Sequence, residues 1–300
     1  MPICNAFTVD VEDYYHVSNF EKHIDRADWG QHESRVEANT RRVLKLLEKH
    51  GVRATFFVLG WVAERCPQLV RDIRAGGHEI GSHGYWHRLI YRLSPEQFRD
   101  DLVKTRKILE DISEGPVTAY RAPSFSITKR SLWALEILVE EGIRFDSSIF
   151  PVRHHRYGIP GADPAVHRID TAAGPLWEFP VSVLRIGGVN LPVSGGGYFR
   201  LYPLKWSLYF LSRINRKHAR PFVFFIHPWE LDPDQPRLHV GSPIARARHY
   251  LNLGSTEEKL TAVLERFRFG RMCDVVREVD PGAGTSPPSG KPDSDRPGSP

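Results

Sequence analysis

The stretch that decides the fold is Phe7–His16, with the sequence FTVDVEDYYH. An apolar run of strand length ends there in three acidic residues within four positions, which are Asp10, Glu12 and Asp13. Acids that follow a strand can be ordinary solvated groups or the carboxylates of a reaction site. The rest of the chain decides between these two interpretations.

Further along the chain, other polar residues also follow short apolar segments directly. They are His83, Arg121, Asp146 and His227. Strand-like and helix-like segments alternate from residue 3 onward, which predicts an α/β fold with a parallel sheet, here a barrel. The carboxyl ends of parallel strands converge on the active site in such folds. Each residue alone fits a structural role better, but their coincidence at strand ends favours a site.

The segment HGYWH places two histidines, His83 and His87, four residues apart. If this segment is locally helical, both imidazoles lie on one face and can share a metal ion. An acid from the first strand would complete a site of two histidines and one carboxylate, with open positions for water and substrate. His78 lies nearer the strand and is interpreted as structural.

The remaining polar residues fit the other roles of a metal-assisted hydrolysis of an amide or ester. Asp10 can accept the proton of the attacking water, and His227 can protonate the leaving group. Arg121, which is always charged, would hold Asp10 ionised. Either Asp146 or Glu178 could orient His227 and raise its pKa.

Composition and charge exclude several classes of protein. The chain has 300 residues and a net charge of +5, and its basic residues form no long run, so nucleic acid is not an expected partner. No segment has the ~20 apolar residues of a membrane span. The three widely spaced cysteines, Cys4, Cys66 and Cys273, favour a reducing compartment over a disulfide framework. With no signal peptide visible, we expect the cytoplasm.

Two segments are less regular than the rest. Residues 281–300 are rich in proline, glycine and serine and are predicted to be a disordered tail. Residues 150–200 contain many glycines and prolines and are interpreted as loops over the sheet that form a rim of the site.

Five segments resemble, in order, the motifs of the polysaccharide deacetylases, the NodB-type family also called carbohydrate esterase family 4. They are TVDVED, SHGYWH, YRAPS, FDSSIFP and FFIHPWE. DVEDYYHV, YRAPSFSI, GGGYFR and HPWELDPDQPR resemble the exopolysaccharide-locus, exosortase-associated subfamily. The resemblance implies a deformed (β/α) barrel of about seven parallel strands, in a deacetylase domain that covers residues 1–280. Within this domain, residues 150–200 and 230–275 would be subfamily-specific loops and a C-terminal extension.

Carried over by position, Asp10 resembles the catalytic base, Arg121 its supporting arginine and His227 the acid, while His83 and His87 resemble the metal ligands. Two positions differ from the usual family motifs. Gly84 stands where the second motif usually has serine or threonine. In the third motif, Ser124 and Phe125 follow the proline, where the family usually has tyrosine. The common opening motif has adjacent aspartates, whereas Val11 separates Asp10 from Glu12 here. Alternation along a strand favours Glu12 as the acidic ligand, with Asp13 as the other candidate.

The resemblance implies an amidohydrolase that binds one divalent metal ion and removes N-acetyl groups from amino sugars of an exopolysaccharide or its lipid-linked precursor. We expect zinc, although cobalt, nickel or iron would also suit these ligands. Peripheral contact with membrane-bound glycan synthesis machinery is expected as well. The alternatives are a deacylase or cyclic-amide hydrolase acting on a small substrate at the same site, and a non-catalytic carbohydrate-binding protein.

Overall fold

The computed structural model describes residues 2–154 and 156–284. The predicted disordered tail therefore lies outside the described residues from 285 onward. Its first four residues, 281–284, form a turn in which Ala283 is buried. No helix of the described part is long and apolar enough to cross a membrane.

The strands alternate with helices along most of the chain, as the sequence predicted. The strands are β1 (Cys4–Val11), β2 (Thr55–Val58), β3 (Glu79–Ser82), β4 (Ala119–Tyr120), β5 (Phe145–Asp146), β6 (His167–Thr171), β7 (Gly174–Glu178), β8 (Val183–Ile186), β9 (Val189–Pro192), β10 (Val223–Ile226) and β11 (Arg268–Gly270).

The helices cover the outside of the sheet. They are α1 (Val36–Lys49), α2 (Gly60–Arg65), α3 (Pro67–Ala75), α4 (Pro95–Ser113), α5 (Trp133–Glu140), α6 (Gly196–Leu201), α7 (Leu204–His218), α8 (Pro243–Tyr250), α9 (Thr256–Arg266) and α10 (Met272–Val279). A capping box forms at the start of α4, where Ser94 and Gln97 satisfy each other's backbone N–H groups.

Seven strands run parallel in the order β10-β1-β2-β3-β4-β5-β7. The antiparallel β6 extends the sheet beyond β7, and β11 pairs with the start of β1. Between β7 and β10, Gly195 makes a parallel bridge to Phe225, and Ser182 accepts a hydrogen bond from the backbone N–H of Val223. The predicted α/β fold, a deformed barrel with about seven parallel strands, is confirmed.

Strand β1 lies between β10 and β2, and its polar side chains have partners within the protein. All eight of its residues are buried, as expected for a parallel strand covered on both faces. The ring of Phe7 packs against those of Phe224 and Phe269, at centroid distances of 5.7 and 5.4 Å. The carboxylates that follow are therefore held at the end of a rigid core strand.

Residues 150–200 are more regular than the sequence suggested. The antiparallel pairs β6–β7 and β8–β9 fall in this segment, which also carries the first turn of α6. The loop before them, which includes Phe150 and Tyr157, forms one wall of the cleft described below. The predicted rim is thus present, but it is built partly from strands.

Candidate active site

The polar residues at the carboxyl ends of β1, β3, β4 and β10 meet at one edge of the sheet. Asp10 and Glu12 come from the end of β1, His83 follows β3, Arg121 follows β4 and His227 follows β10. All but His227 are almost completely buried, whereas the His227 side chain is 19% exposed. This histidine is therefore the group of the cluster that reaches furthest towards solvent.

Glu12, His83 and His87 form a group that could hold a metal ion. One donor atom from each side chain lies within 4.8 Å of the other two. His83 donates a hydrogen bond from Nδ1 to the backbone carbonyl of Arg121 at 2.8 Å, which leaves Nε2 as the unprotonated nitrogen that faces a ligand. His87 Nε2 lies 3.0 Å from Oε2 of Glu12.

The chemistry of these three groups fits a divalent cation. Burial raises the pKa of Glu12 to about 8, and Oε2 of this residue has no hydrogen-bond partner among the described residues. Burial also lowers the pKa of His83 to about 4 and lowers that of His87 well below its ordinary value, so both imidazoles are neutral. A buried carboxylate beside two neutral imidazoles is stabilised by a bound cation.

The two histidines meet on a loop, and the local helix considered from their spacing does not form. Gly84 has a φ of +72° and His87 a φ of +50°. The rings of His83 and His87 lie 5.4 Å apart. A Cβ on residue 84 would lie 2.9 Å from Oδ1 of Asp101, the same oxygen that accepts a hydrogen bond from the backbone N–H of Tyr85. Asp101 on α4 thus supports the loop from outside, and the glycine lets it approach.

Asp13, the second candidate for the acidic ligand, lies outside this group. Its carboxylate accepts hydrogen bonds from three backbone N–H groups and one hydroxyl, at 2.8 to 3.1 Å, from residues Tyr14, Ser34, Arg35 and Val36. Two of these residues lead into α1, so Asp13 holds the start of that helix against the end of β1. Among the described residues, the group that could hold a metal ion includes Glu12 and not Asp13, which favours Glu12 as the acidic ligand.

Asp10 and Arg121 form a buried ion pair next to the metal-binding group. Arg121 Nη1 donates to Oδ1 of Asp10 at 2.7 Å and to the hydroxyl of Thr8 at 2.8 Å. Its other nitrogens donate to the backbone carbonyl and the hydroxyl of Ser147. Burial alone would raise the pKa of Asp10, but the guanidinium keeps it below its ordinary value, so this carboxylate is ionised.

His227 is oriented by Glu230, a residue that the sequence interpretation missed. Nδ1 of His227 lies 2.6 Å from Oε1 of Glu230, and Arg200 Nε donates to the other oxygen, also at 2.6 Å. Burial opposes protonation, yet the bond to Glu230 raises the pKa of His227 to about 9. Although burial would raise the pKa of Glu230, Arg200 is the main cause that lowers it to about 2.

The sequence assigned the orientation of His227 to Asp146 or Glu178, and the structure corrects this. Asp146 and Glu178 lie opposite each other on β5 and β7 and interact with one another. Oδ1 of Asp146 accepts from Ser148, and Oε1 of Glu178 accepts from the backbone N–H of Ile149. They fix the loop after β5, whose Ser147 holds Arg121, and so support the site from behind.

The other histidines near the site have local partners. His78 Nδ1 accepts a hydrogen bond from the backbone N–H of Ala54, in agreement with a structural role. His16 Nδ1 accepts from the N–H of Asp13 at 2.9 Å, which fixes the turn after β1. Neither histidine belongs to the metal-binding group.

A cleft of about 280 Å³ opens over the cluster. Its floor carries Asp10, Glu12, His83 and His87, and His227 lies at its side. Aromatic side chains from several segments of the chain line its walls, namely Phe125, Phe150, Tyr157, Tyr198 and Trp229. The rings of Phe150 and Tyr157 are stacked, 5.4 Å apart at an interplanar angle of 7°. The cleft thus gives an extended ligand access to the cluster.

Fold and site together define the class: an α/β barrel protein with a candidate hydrolytic, metal-binding site at the carboxyl ends of its strands. Residues 27–139 match the family model described as polysaccharide deacetylase, and this match and the relatives below support membership of that family. Residues 147–277 match a second model, described as a domain of unknown function (DUF3473). The first match includes His83, His87 and Arg121, and the second includes Arg200, His227 and Glu230.

Two curated relatives and one solved structure illustrate the similarity. A peptidoglycan-N-acetylglucosamine deacetylase of Bacillus cereus is 36% identical over 98 residues, which is 32% of this chain and 36% of that protein. A peptidoglycan deacetylase of Helicobacter pylori is 30% identical over 113 residues, 38% of each chain. The alignments thus span little more than a third of these relatives.

The solved structure is a "putative polysaccharide deacetylase from Mycobacterium smegmatis". It is 20% identical, has a TM-score of 0.62, and the alignment covers 99% of this chain and 95% of that one. At this level of identity the likeness concerns the fold alone.

Proposed function

We propose that the protein is a metal-dependent hydrolase that removes N-acetyl groups from amino sugars. The observation that carries the proposal is the convergence of three buried groups at one end of the barrel: the Glu12–His83–His87 set, the Asp10–Arg121 pair, and His227 with Glu230. The family match over residues 27–139 supports it.

Glu12, His83 and His87 would hold one divalent ion, for which we propose zinc, with cobalt, nickel or iron as alternatives. A bound ion of this kind polarises a carbonyl oxygen and lowers the pKa of water. Neutral imidazoles and a buried carboxylate are ready to act as ligands without a further proton loss from the histidines.

Asp10 is the proposed base and takes a proton from the attacking water onto its carboxylate. Oδ1 is held by Arg121, while Oδ2 lies 3.9 Å from Nε2 of His227, on the side of the reacting groups. The ion pair keeps the carboxylate ionised, and the additional bonds from Arg121 to Ser147 keep it from turning.

His227 is the proposed acid and donates the proton on Nε2 to the nitrogen of the departing amine. Glu230 holds Nδ1, and Arg200 holds Glu230, so the imidazolium is both charged and fixed in orientation. Because His227 is partly exposed to the cleft, it can reach a sugar nitrogen that the deeper groups cannot.

For the substrate we propose an exopolysaccharide or its lipid-linked precursor, in agreement with the subfamily motifs DVEDYYHV and HPWELDPDQPR. The aromatic walls of the cleft, among them Tyr157 and Tyr198, would stack on sugar rings. We further propose the cytoplasm as the compartment, which the free cysteines Cys4, Cys66 and Cys273 support.

The test is a substrate panel with purified protein loaded with each metal in turn. We expect acetate release from N-acetylglucosamine oligomers that rises with chain length, because a longer chain fills more of the cleft. Release from small cyclic amides alone would contradict the proposal and favour the alternative substrate class. The matched control is Asp10→Asn, which keeps the shape of the side chain and should lose activity while still binding the ion.

A further inference from the structure

Helix α7 carries its charged and aromatic residues on one exposed side. At 100° per residue, six of them fall in an arc of about 120°. They are Lys205, Trp206, Tyr209, Arg213, Arg216 and Lys217, called here the basic aromatic face. The opposite side of the helix, with Ser207, Leu211 and Ile214, is buried against the barrel.

The region around this helix has an unusual charge balance. Residues 179–229 contain seven Lys and Arg residues and no Asp or Glu. The whole chain has 36 acidic residues in 300, so an average stretch of this length would contain about six. In the part of the chain that the structure describes, Lys205, Arg213, Arg216 and Lys217 form no ion pair. Their charge is therefore available to an external anion.

The same region also exposes more apolar surface than the rest. Among the described residues nine large apolar side chains are exposed, and five of them lie within 179–229. These five are Ile186, Val189, Leu201, Trp206 and Tyr209. The rings of Trp206 and Tyr209 contact each other and that of Phe210, and Arg213 donates to the hydroxyl of Tyr209 at 2.8 Å. Aromatic rings between unpaired cations are typical of helices that lie in a membrane interface.

The N-terminal end of this face adjoins the mouth of the cleft. Leu201, the last residue of α6, lines the cleft and is 55% exposed, and α7 begins three residues later. On the same side, Arg200 donates to backbone carbonyls at the end of α8, whose Arg248 lines the cleft. A surface that binds the basic aromatic face would therefore lie beside the entrance for the substrate.

We propose that the basic aromatic face docks the protein on a bilayer rich in anionic lipid, with the cleft opening next to the membrane. This inference extends the proposed function, since it would place the active site beside the sugar of a lipid-linked precursor. The four cations complement the negative charge of the lipid headgroups, and Trp206 and Tyr209 suit the interface, where one edge of each ring is wet and the other apolar.

The test is cosedimentation of the full chain with phosphatidylcholine vesicles that contain or lack phosphatidylglycerol. We expect binding to the anionic vesicles only, reversed by high salt. Each cation close to such a surface contributes about fivefold to the partition coefficient, so Lys205→Gln with Arg216→Gln should weaken binding roughly 25-fold. Lys45→Gln with Lys49→Gln on α1 removes the same charge from another exposed surface and should leave binding nearly unchanged.

A second pair of variants tests the aromatic part independently. Trp206→Ser with Tyr209→Ser should weaken vesicle binding. Val103→Ser with Leu132→Ser, which removes two apolar side chains of similar fractional exposure elsewhere, should not. Acetate release from a soluble oligomer should stay the same in all four variants, which separates this proposal from the proposed activity. No binding to anionic vesicles, equal binding by the Lys205/Arg216 variant, or a dimer that Trp206→Ser dissociates would overturn the proposal.

Discussion

Glu12 and Asp13 are adjacent in the sequence, yet the structure gives them different roles: Glu12 faces the two histidines, and Asp13 holds the start of α1. Replacing each residue in turn by its amide tests these two roles separately. Glu12→Gln removes the charge of the group that faces His83 and His87. Asp13→Asn leaves that group intact and disturbs only the junction between β1 and α1. We expect the first variant to lose the ion and keep its stability, and the second to do the reverse.

The magnitudes follow from the hydrogen bonds. Asp13 accepts four of them, and an amide that turns its oxygen towards three donors must turn its nitrogen towards the fourth, the N–H of Tyr14. With bonds to a charged group each worth ~1.5–3 kcal/mol, we expect a loss of about 2 to 3 kcal/mol. For a domain of this size that lowers Tm by about 3 to 5 °C. Burial raises the pKa of Glu12 to about 8, so in the ion-free protein this side chain is largely neutral at pH 7. Its Oε2 forms no hydrogen bond, although it lies 3.0 Å from Nε2 of His87, and Oε1 lies 3.2 Å from Nε2 of His227. The neutral amide of the same shape should therefore change stability by less than about 1 kcal/mol.

The assay combines thermal unfolding of the ion-free proteins with metal analysis after equilibrium dialysis against zinc. We expect one bound ion per chain in wild type and in Asp13→Asn, and a large loss of occupancy in Glu12→Gln. If Asp13→Asn lost the ion while Glu12→Gln retained it, the assignment of the ligand would be refuted. Equal loss in both variants would also contradict it, because the Asp13 carboxylate is turned away from the histidines.

Two further predictions concern the groups around the site. Glu230→Gln should lower kcat at least tenfold without loss of the bound ion, because Nδ1 of His227 loses its charged partner. The control variant Glu178→Gln should lower kcat far less. Equal effects of the two variants in steady-state kinetics would contradict the assigned positioning role of Glu230. Gly195→Ala should destabilise the fold by about 2 kcal/mol or more in denaturant unfolding, because its Cβ would clash with the backbone oxygen of Phe225. Gly197→Ala in helix α6 should not, because its Cβ would meet only Nη2 of Arg200, at 3.8 Å. Similar midpoints for the two variants would refute this packing argument.

The sequence predicted the main groups of the site because of a property of parallel sheets. His83, Arg121 and His227 each follow a strand, Asp10 is the last residue but one of β1, and parallel strands of one sheet end at a common edge. No knowledge of side-chain contacts was needed for that step. Alternation along an extended strand also favoured Glu12, which the structure brings to the histidines.

Other contacts depend on how distant elements pack, and the local pattern does not contain them. Three of the four partners of Asp13 lie at or just before the start of α1, more than twenty residues away. Asp146 and Glu178 were plausible partners for His227 until the register of β5 and β7 paired them with each other. Asp101 supports the histidine loop from a different helix, a contact that only the tertiary structure shows.

Glu230 is a different case, since a local signal for it exists. It stands three residues after His227, the N3 position of a short helical turn that begins at Pro228, and it bonds back to the N–H of His227 as in a capping box. A carboxylate at that spacing is within reach of the imidazole as well as of the backbone. Arg200, which holds Glu230, is thirty residues away in the sequence and could not be found in this manner.

The central claim is that this chain hydrolyses N-acetyl groups of amino sugars with the aid of an ion held by Glu12, His83 and His87. The most direct measurement is acetate release from an N-acetylglucosamine oligomer before chelation, after chelation, and after one equivalent of zinc is returned. We predict release that is lost on chelation and restored by the returned ion. Undiminished release from the metal-free protein, or no release from protein that carries a full equivalent of the ion, would contradict the claim.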